Sequence, residues 1–381
     1  MKVLYVASEA VPFAKTGGLA DVAGSLPKAL KAEGVDVRVI MPKFGKIPEK
    51  FRDAMEHVYD GEIPVAWRSK FVGLDKLEHD GVTYYFVDNE EYFKREGFYG
   101  YDDDAERFSF FCRAVLNLLP AMDFWPDVIH TNDWHSGLVN VLLKIEHQGD
   151  ERYENIRTLY TIHNLKYQGV FPKNVMSDVL GLDWKYFNNG DLEFYDAVNF
   201  MKGGLIYADY ISTVSKTYAK EIQYEYFGEH LDGLLRSRQD TLFGIVNGID
   251  YDMWNPETDP ALAVNYGLST VLEHKMENKL ALQKELGLEE NQDKFVIGLI
   301  SRLTNQKGLD LVSAVIPQVM DGNTQVVILG TGDKEFEDTF RYYEGAYKGQ
   351  FAACIQYDES RAHRIYAGAD ALLVPSRFEP C

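Results

Sequence analysis

The strongest constraint on this chain is an alternation that runs nearly its whole length. Short runs dominated by apolar and β-branched residues, without a polar face, alternate with segments of helical periodicity. Lys2–Ala7, Asp36–Met41, Asp127–Thr131, Arg157–His163, Tyr210–Val214 and Thr241–Val246 read as strands, with helical stretches between them such as Leu19–Ala32. Strands apolar on both faces belong inside a parallel sheet covered by helices on each side. Residues 57–88 differ: period-two alternation around Gly61, Gly73 and Gly81 predicts hairpins, an antiparallel insertion or extension. After Asn247–Gly248 a stretch rich in Asp, Pro, Asn and Gly reads as a linker, residues 249–268. A second series follows, with strands at Phe295–Ser301, Gln325–Leu329, Phe351–Ile355 and Ala371–Pro375 and helices near 269–287, 308–320, 334–344 and 359–368.

The expected architecture is therefore α/β, with two Rossmann-like doubly wound domains facing a cleft, residues 1–248 and 269–381. Ligands of such sheets bind outside the carboxyl ends of the strands. The second series stops directly after a strand, so the expectation is an incomplete second domain. An isolated chain of this length is then expected to be poorly soluble or inactive.

Composition narrows the function. The 381 residues carry 39 Lys+Arg against 59 Asp+Glu, a net charge of −20, and both domains are net acidic. Such a surface repels nucleic-acid backbones and anionic lipid, so neither is expected as a partner. No apolar run reaches the roughly 18 residues of a membrane span. Pro12 and a glycine pair interrupt the start where a signal peptide needs a continuous apolar stretch. Cys112, Cys354 and Cys381 are widely spaced and lack any CxxC, which fits reduced thiols and a cytoplasmic location rather than a disulfide scaffold or zinc site.

Several strand ends carry polar groups suited to a small anionic ligand. Lys15–Thr16–Gly17–Gly18 precedes a helix, where amides and a lysine can cradle an anion, although taken alone a glycine turn with a solvated lysine is the better reading. The spacing fits neither a Walker loop nor GxGxxG. In His130–Thr131–Asn132–Asp133–Trp134–His135, Asp133 and His135 suit sugar hydroxyls with Trp134 on a ring face; the alternative is that Asp133 caps the next helix and Trp134 fills the core. His163–Asn164 and Asn247–Gly248 also end strands, and each has an ordinary structural reading. Arg302 and Lys307 sit at opposite ends of a loop feeding a helix, a favourable pair for a diphosphate. Gly330–Thr331–Gly332 lets a nucleotide approach the backbone, although a lone GxG is a weak signal. Tyr357 offers a ring for a base, although a half-buried tyrosine is the commoner case, and Glu379 a carboxylate for sugar hydroxyls. Asp102–Asp103–Asp104 precedes a helical run and reads as N-capping rather than a metal-bound DxD. No HExxH, GxSxG or His-Cys cluster is present, so no metal or other cofactor is expected.

Taken in order, KTGGLADVAGSLPKAL (15–30), HTNDWHSGL (130–138), YTIHNLKYQGVF (160–171), NGID (247–250), SRLTNQKGLDL (301–311), GTGD (330–333) and PSRFEPC (375–381) resemble the bacterial glycogen synthases, relatives of plastid starch synthases, across essentially the whole chain. No transit peptide precedes Met1, which favours the bacterial type. The resemblance implies the glycosyltransferase B fold. It also implies metal-free transfer of glucose from ADP-glucose to the non-reducing end of an α-1,4-glucan (glycogen), with retention of configuration. By motif, Lys15, Gly17 and Gly18 approach the phosphates or sugar and Asp21 the nucleotide side. Asp133, His163, Asn164 and Asn247 line the donor-sugar and acceptor region. Arg302 and Lys307 hold the leaving diphosphate, with Gly332 near the nucleotide. Tyr357 stacks on adenine, Glu379 binds glucose hydroxyls, and Cys381 closes the last signature. A UDP-glucose-dependent glucan synthase and a non-catalytic glucan- or nucleotide-binding relative remain as alternatives.

Overall fold

Each of the predicted apolar-rich runs contains a strand. The computed structural model describes all residues, Met1–Cys381. Its contacts divide the chain into two units, Met1–Gly248 with Pro380–Cys381, and Ile249–Glu379. The first unit contains β1 (Lys2–Val6), β2 (Asp36–Pro42), β3 (Glu56–Val65), β4 (Arg68–His79), β5 (Val82–Asp88), β6 (Val128–Asn132) and β7 (Arg157–Ile162). Next come three short strands, β8 (Val170–Pro172), β9 (Glu193–Phe194) and β10 (Ala197–Asn199), then β11 (Tyr210–Thr213) and β12 (Leu242–Gly244). Nine of these form one sheet in the order β12-β11-β7-β6-β1-β2-β5-β4-β3.

β1 lies between β2 and β6, parallel to both. The chain winds outward from β1 to β2, and returns past β1 to add β6, β7, β11 and β12 on the other side. The reversal places a topological switch point beside β1, where the following loops diverge and leave a crevice. Leu4, Tyr5 and Val6 are fully buried, as a central strand covered on both faces requires. Segment 57–88 is an extension of this sheet: β5 pairs parallel with β2, while β4 runs antiparallel to both β5 and β3. The Thr241–Val246 run pairs only over Leu242–Gly244, because β12 is an edge strand and Ile245 and Val246 are exposed.

The aspartate run is not an N-cap. Asp103 occupies the cap position of helix Asp104–Asn117 without a capping bond, and its carboxylate pairs with Arg95 at 2.6 Å. Asp104 is buried, accepts from the Gly100 amide at 2.7 Å and pairs with the fully buried Arg107 at 2.5 Å. A buried guanidinium needs a carboxylate more than an exposed helix end does.

The second unit holds a parallel sheet of β13 (Phe295–Ile300), β14 (Thr324–Leu329), β15 (Phe351–Cys354) and β16 (Ala371–Leu372), ordered β15-β14-β13-β16. The predicted Ala371–Pro375 strand ends after Leu372: Gly308 backs onto the Pro375 carbonyl, which a Cβ at 308 would meet at 2.2 Å. Residues 249–268 fold against helix Glu359–Gly368, where Trp254 stacks on His363 and Asp259 pairs with it at 2.5 Å. No helix is long and apolar enough to cross a membrane.

Helix Asp133–Ile145, which leaves β6, packs on helix Phe200–Tyr207 through glycines. A Cβ on Gly137 would stand 2.5 Å from the Phe200 carbonyl, and one on Gly204 2.8 Å from the Gly137 Cα. Gly137→Ala is expected to destabilise the first unit by roughly 1–3 kcal/mol through overpacking. The check is a lower urea midpoint with an unchanged m-value.

Candidate functional site

The segments after β1, β6 and β7 flank the crevice at the switch point. After β1 the chain runs through Glu9 to Lys15–Thr16–Gly17 and enters helix Gly18–Ala32. Gly17 is extended (φ −161), so no tight turn demands it, and a Cβ on either Gly17 or Gly18 would meet nothing within 4 Å. The fold itself gives no steric reason for these glycines. They leave room above a helix N-terminus that no side chain caps. Lys15 Nζ pairs with Asp21 Oδ1 at 2.7 Å.

Asp133 has φ +53, a left-handed conformation that costs a non-glycine residue energy. It does not cap its own helix. Its Oδ1 instead accepts from the His163 amide at 2.8 Å and the Asn164 amide at 3.4 Å, tying the β6 loop to the β7 loop. Desolvation pushes its carboxyl up to about 7, with those two amides pulling the other way.

His163 is oriented by Asn132. Asn132 Nδ2 donates to the Val6 carbonyl at 3.0 Å, which turns Oδ1 toward Tyr5 Oη at 3.0 Å and His163 Nε2 at 2.9 Å. An oxygen in that position only accepts, so Nε2 carries the imidazole proton and Nδ1 is left as an acceptor. Desolvation lowers the His163 pKa to about 4, which keeps the ring neutral at physiological pH. Both readings open for Trp134 find support, since the buried indole also lines the pocket described below. Trp134 is 8% exposed and lies beneath Gly169, whose Cβ would stand 2.4 Å from the indole. His135 is 8% exposed and sits between Trp134 and Tyr99, with ring centroids at 4.0 and 4.4 Å.

Beside these loops opens a pocket of 560 Å³, walled by Tyr101, Trp134, Tyr167, Phe171, Glu229 and His230. Aromatic walls with a few polar groups suit the apolar faces and hydroxyl rims of sugars.

In the second unit, Lys307 and Glu379, 72 positions apart, meet at 2.6 Å. Arg377 N donates to the Gln306 carbonyl at 2.9 Å, so the final segment is laced to the β13 loop. Arg302 is exposed on that same loop, and Tyr357 is 64% exposed after β15. Gly332 has a packing reason: its residue bridges Leu303 in parallel, and a Cβ there would stand 2.3 Å from the Leu303 carbonyl. Asn247 lies in the loop after β12, and Cys381 is exposed.

The sequence reading missed Glu9, Tyr99 and Asn132 as site residues. Glu9 is 4% exposed and accepts from the Thr16 amide at 2.6 Å; the signal was an acid three residues past a buried strand. Tyr99 Oη donates to Ser8 Oγ at 2.9 Å across 91 positions, for which no local signal exists. Burial, reinforced by Asp133 and Asp21, holds the Glu9 carboxyl up at about 7 against an ordinary 4.5. The folded state therefore keeps this proton where the unfolded chain has lost it. Its stabilising contribution is complete below about pH 4.5 and declines as pH rises through 7. Glu9→Gln keeps an acceptor for Thr16 and removes that titration. The expected result is a shallower fall of Tm between pH 4.5 and 7; an unchanged slope would mean that Glu9 ionises normally.

The sequence profile of the starch synthase catalytic domain matches residues 2–237. Glycogen synthase of Desulforamulus reducens is 51% identical over all 381 residues, which span 79% of that protein. Glycogen synthase of Geobacillus stearothermophilus is likewise 51% identical, with the whole chain covering 78% of it. The catalytic domain of starch synthase IV from Arabidopsis thaliana, solved with ADP and acarbose, superposes with a TM-score of 0.91 at 33% identity, over the whole of this chain and 79% of that one. With its strand order, its crevice beside β1 and these relatives, the chain belongs to the glycogen synthase and starch synthase family of glycosyltransferases, of the glycosyltransferase B fold.

Proposed function

We propose that the protein transfers glucose from ADP-glucose to the non-reducing end of an α-1,4-glucan, with retention of configuration, in the cytoplasm. The observation that carries this reading is the open space over Gly17 and Gly18 next to Lys15 in the loop after β1, together with the bond that ties Asp133 to the His163 amide between the ends of β6 and β7. The glycogen synthase relatives supply the glucan, and the ADP and acarbose of the starch synthase neighbour supply the nucleotide and an acceptor-like sugar. Three unpaired cysteines suit a reducing compartment.

In this reading the bond between the anomeric carbon and the β-phosphate oxygen breaks, and its electron pair goes to the diphosphate. Arg302 and Lys307 oppose the charge that develops there, and so act most strongly in the transition state. The acceptor's 4-hydroxyl oxygen bonds the same face of the anomeric carbon and gives its proton to the departing phosphate. Glu9 and Asp133 are not used as nucleophiles, since one is buried beneath Thr16 and the other is committed to two amides. The neutral His163, with Nδ1 as acceptor, orients a sugar hydroxyl, with Asn164 and Asn247 beside the sugar. Glu379, paired with Lys307, takes further glucose hydroxyls, and Tyr357 stacks on adenine. Asp21 and Gly332 lie on the nucleotide side, and Cys381 closes the signature that carries Glu379. The aromatic pocket receives the acceptor glucan.

The test is nucleotide release by the purified full-length protein, given ADP-glucose or UDP-glucose, with and without glycogen. Release from ADP-glucose only, and only with glycogen, is the expected result. Preferential use of UDP-glucose overturns the donor assignment, and no acceptor-dependent release overturns the enzyme in favour of a binding protein. Lys307→Ala is expected to lower kcat by about 10²–10³-fold, on the scale of losing one transition-state charge partner, with an unchanged Tm. Near-normal turnover would remove Lys307 from the diphosphate clamp.

A further inference from the structure

Trp67 stands outside the chemistry described above. It is 76% exposed at the tip of the β3–β4 hairpin, and an exposed aromatic residue alone needs no explanation. What distinguishes it is how firmly the exposed ring is held. The two-residue turn is Ala66–Trp67 rather than the favoured Asn-Gly, and Ala66 sits at φ +51, where a side chain is strained. Gly181, at φ +62, backs onto this turn so closely that a Cβ on it would stand 3.1 Å from the Ala66 Cα. The indole Nε1 donates to Asp178 Oδ1 at 3.1 Å. The Arg68 guanidinium lies 4.3 Å from the ring centroid, and its Nη2 donates to both Asp178 carboxylate oxygens at 3.2 Å. Asp178 belongs to a π-helical turn, Met176–Leu180, a rare geometry that recurs at functional sites.

A cation occupies one side of the indole, a carboxylate holds its edge, and the remainder faces water. Three separate restraints fix a ring whose burial they do not achieve. A ligand stacking on such a ring finds its rotamer already ordered. The geometry points to Trp67 as a distal stacking platform for an α-1,4-glucan chain, outside the crevice and the aromatic pocket. This rests on the glucan-elongating function proposed above. The apolar face of one glucose unit covers about the area of one indole, and Arg68 and Asp178 rim the ring with groups that bond hydroxyls. A single ring with a charged rim is too small and too polar for a stable protein–protein interface. Trp184, 40% exposed, lies three residues beyond Gly181 and offers a second ring on the same segment.

The test is migration of the full-length protein in native gels cast with and without glycogen, in the absence of any sugar nucleotide. Trp67→Ala is expected to weaken glycogen retardation about tenfold, the scale of one lost aromatic anchor, while Trp67→Tyr keeps most of it. Glucose transfer to a short maltooligosaccharide is expected to be unchanged in both variants. Equal retardation of Trp67→Ala and the parent overturns the platform, as does a parent that glycogen does not retard. A change only in oligomeric state, read by size exclusion, overturns it in favour of a self-association surface. If the parent transfers no glucose yet Trp67 governs its retardation, the platform stands and the proposed reaction falls.

Discussion

The arrangement of the first unit depends on the pairing of β1 with parallel neighbours on both sides. A central strand with both faces covered must be apolar throughout, and it leaves the chain nowhere to put polar groups except beyond its end. Because winding reverses beside β1, the segments leaving β1 and β6 turn away from each other, and the gap between them is a product of topology rather than of any one side chain. Tyr5 shows how closely scaffold and chemistry are joined: its ring is core, and its hydroxyl helps fix Asn132.

Around that gap the protein holds groups in forms that water would not favour. Glu9 and Asp133 keep raised pKa values, and His163 a lowered one, all through desolvation. Asp133 adds a left-handed backbone. Such features weaken a fold, and they persist where the surrounding structure over-determines them. Here the amides of His163 and Asn164 and the side chain of Asn132 provide that determination.

Much of this was legible in the sequence because buried parallel strands leave a dense apolar signal. Lys2–Val6, Asp36–Pro42 and Phe295–Ile300 lie within a residue of where the pattern put them. The three short strands β8, β9 and β10 were not legible, since two or three residues carry no period. At the site, residue types at strand ends could be read but their partners could not. Nothing local says that Lys307 meets Glu379, that Asp133 binds the next loop rather than its own helix, or that Asp103 serves Arg95. Nor does anything local say that Gly169 lies over Trp134. Long-range pairing decides such cases, and hydrophobic period does not encode it.

The glycines of the first loop have a consequence for how this sequence tolerates change. Gly308, Gly330 and Gly332 are held by the chain's own backbone, so any replacement is felt first as damage to folding. Gly17 and Gly18 touch nothing that a side chain would disturb. In a comprehensive substitution survey the two groups would separate cleanly: the former deplete cellular protein level, and the latter leave abundance intact while silencing output. At Gly17 and Gly18 the packing of the polypeptide is indifferent to a side chain, so under the proposed function only the bound donor constrains these two positions.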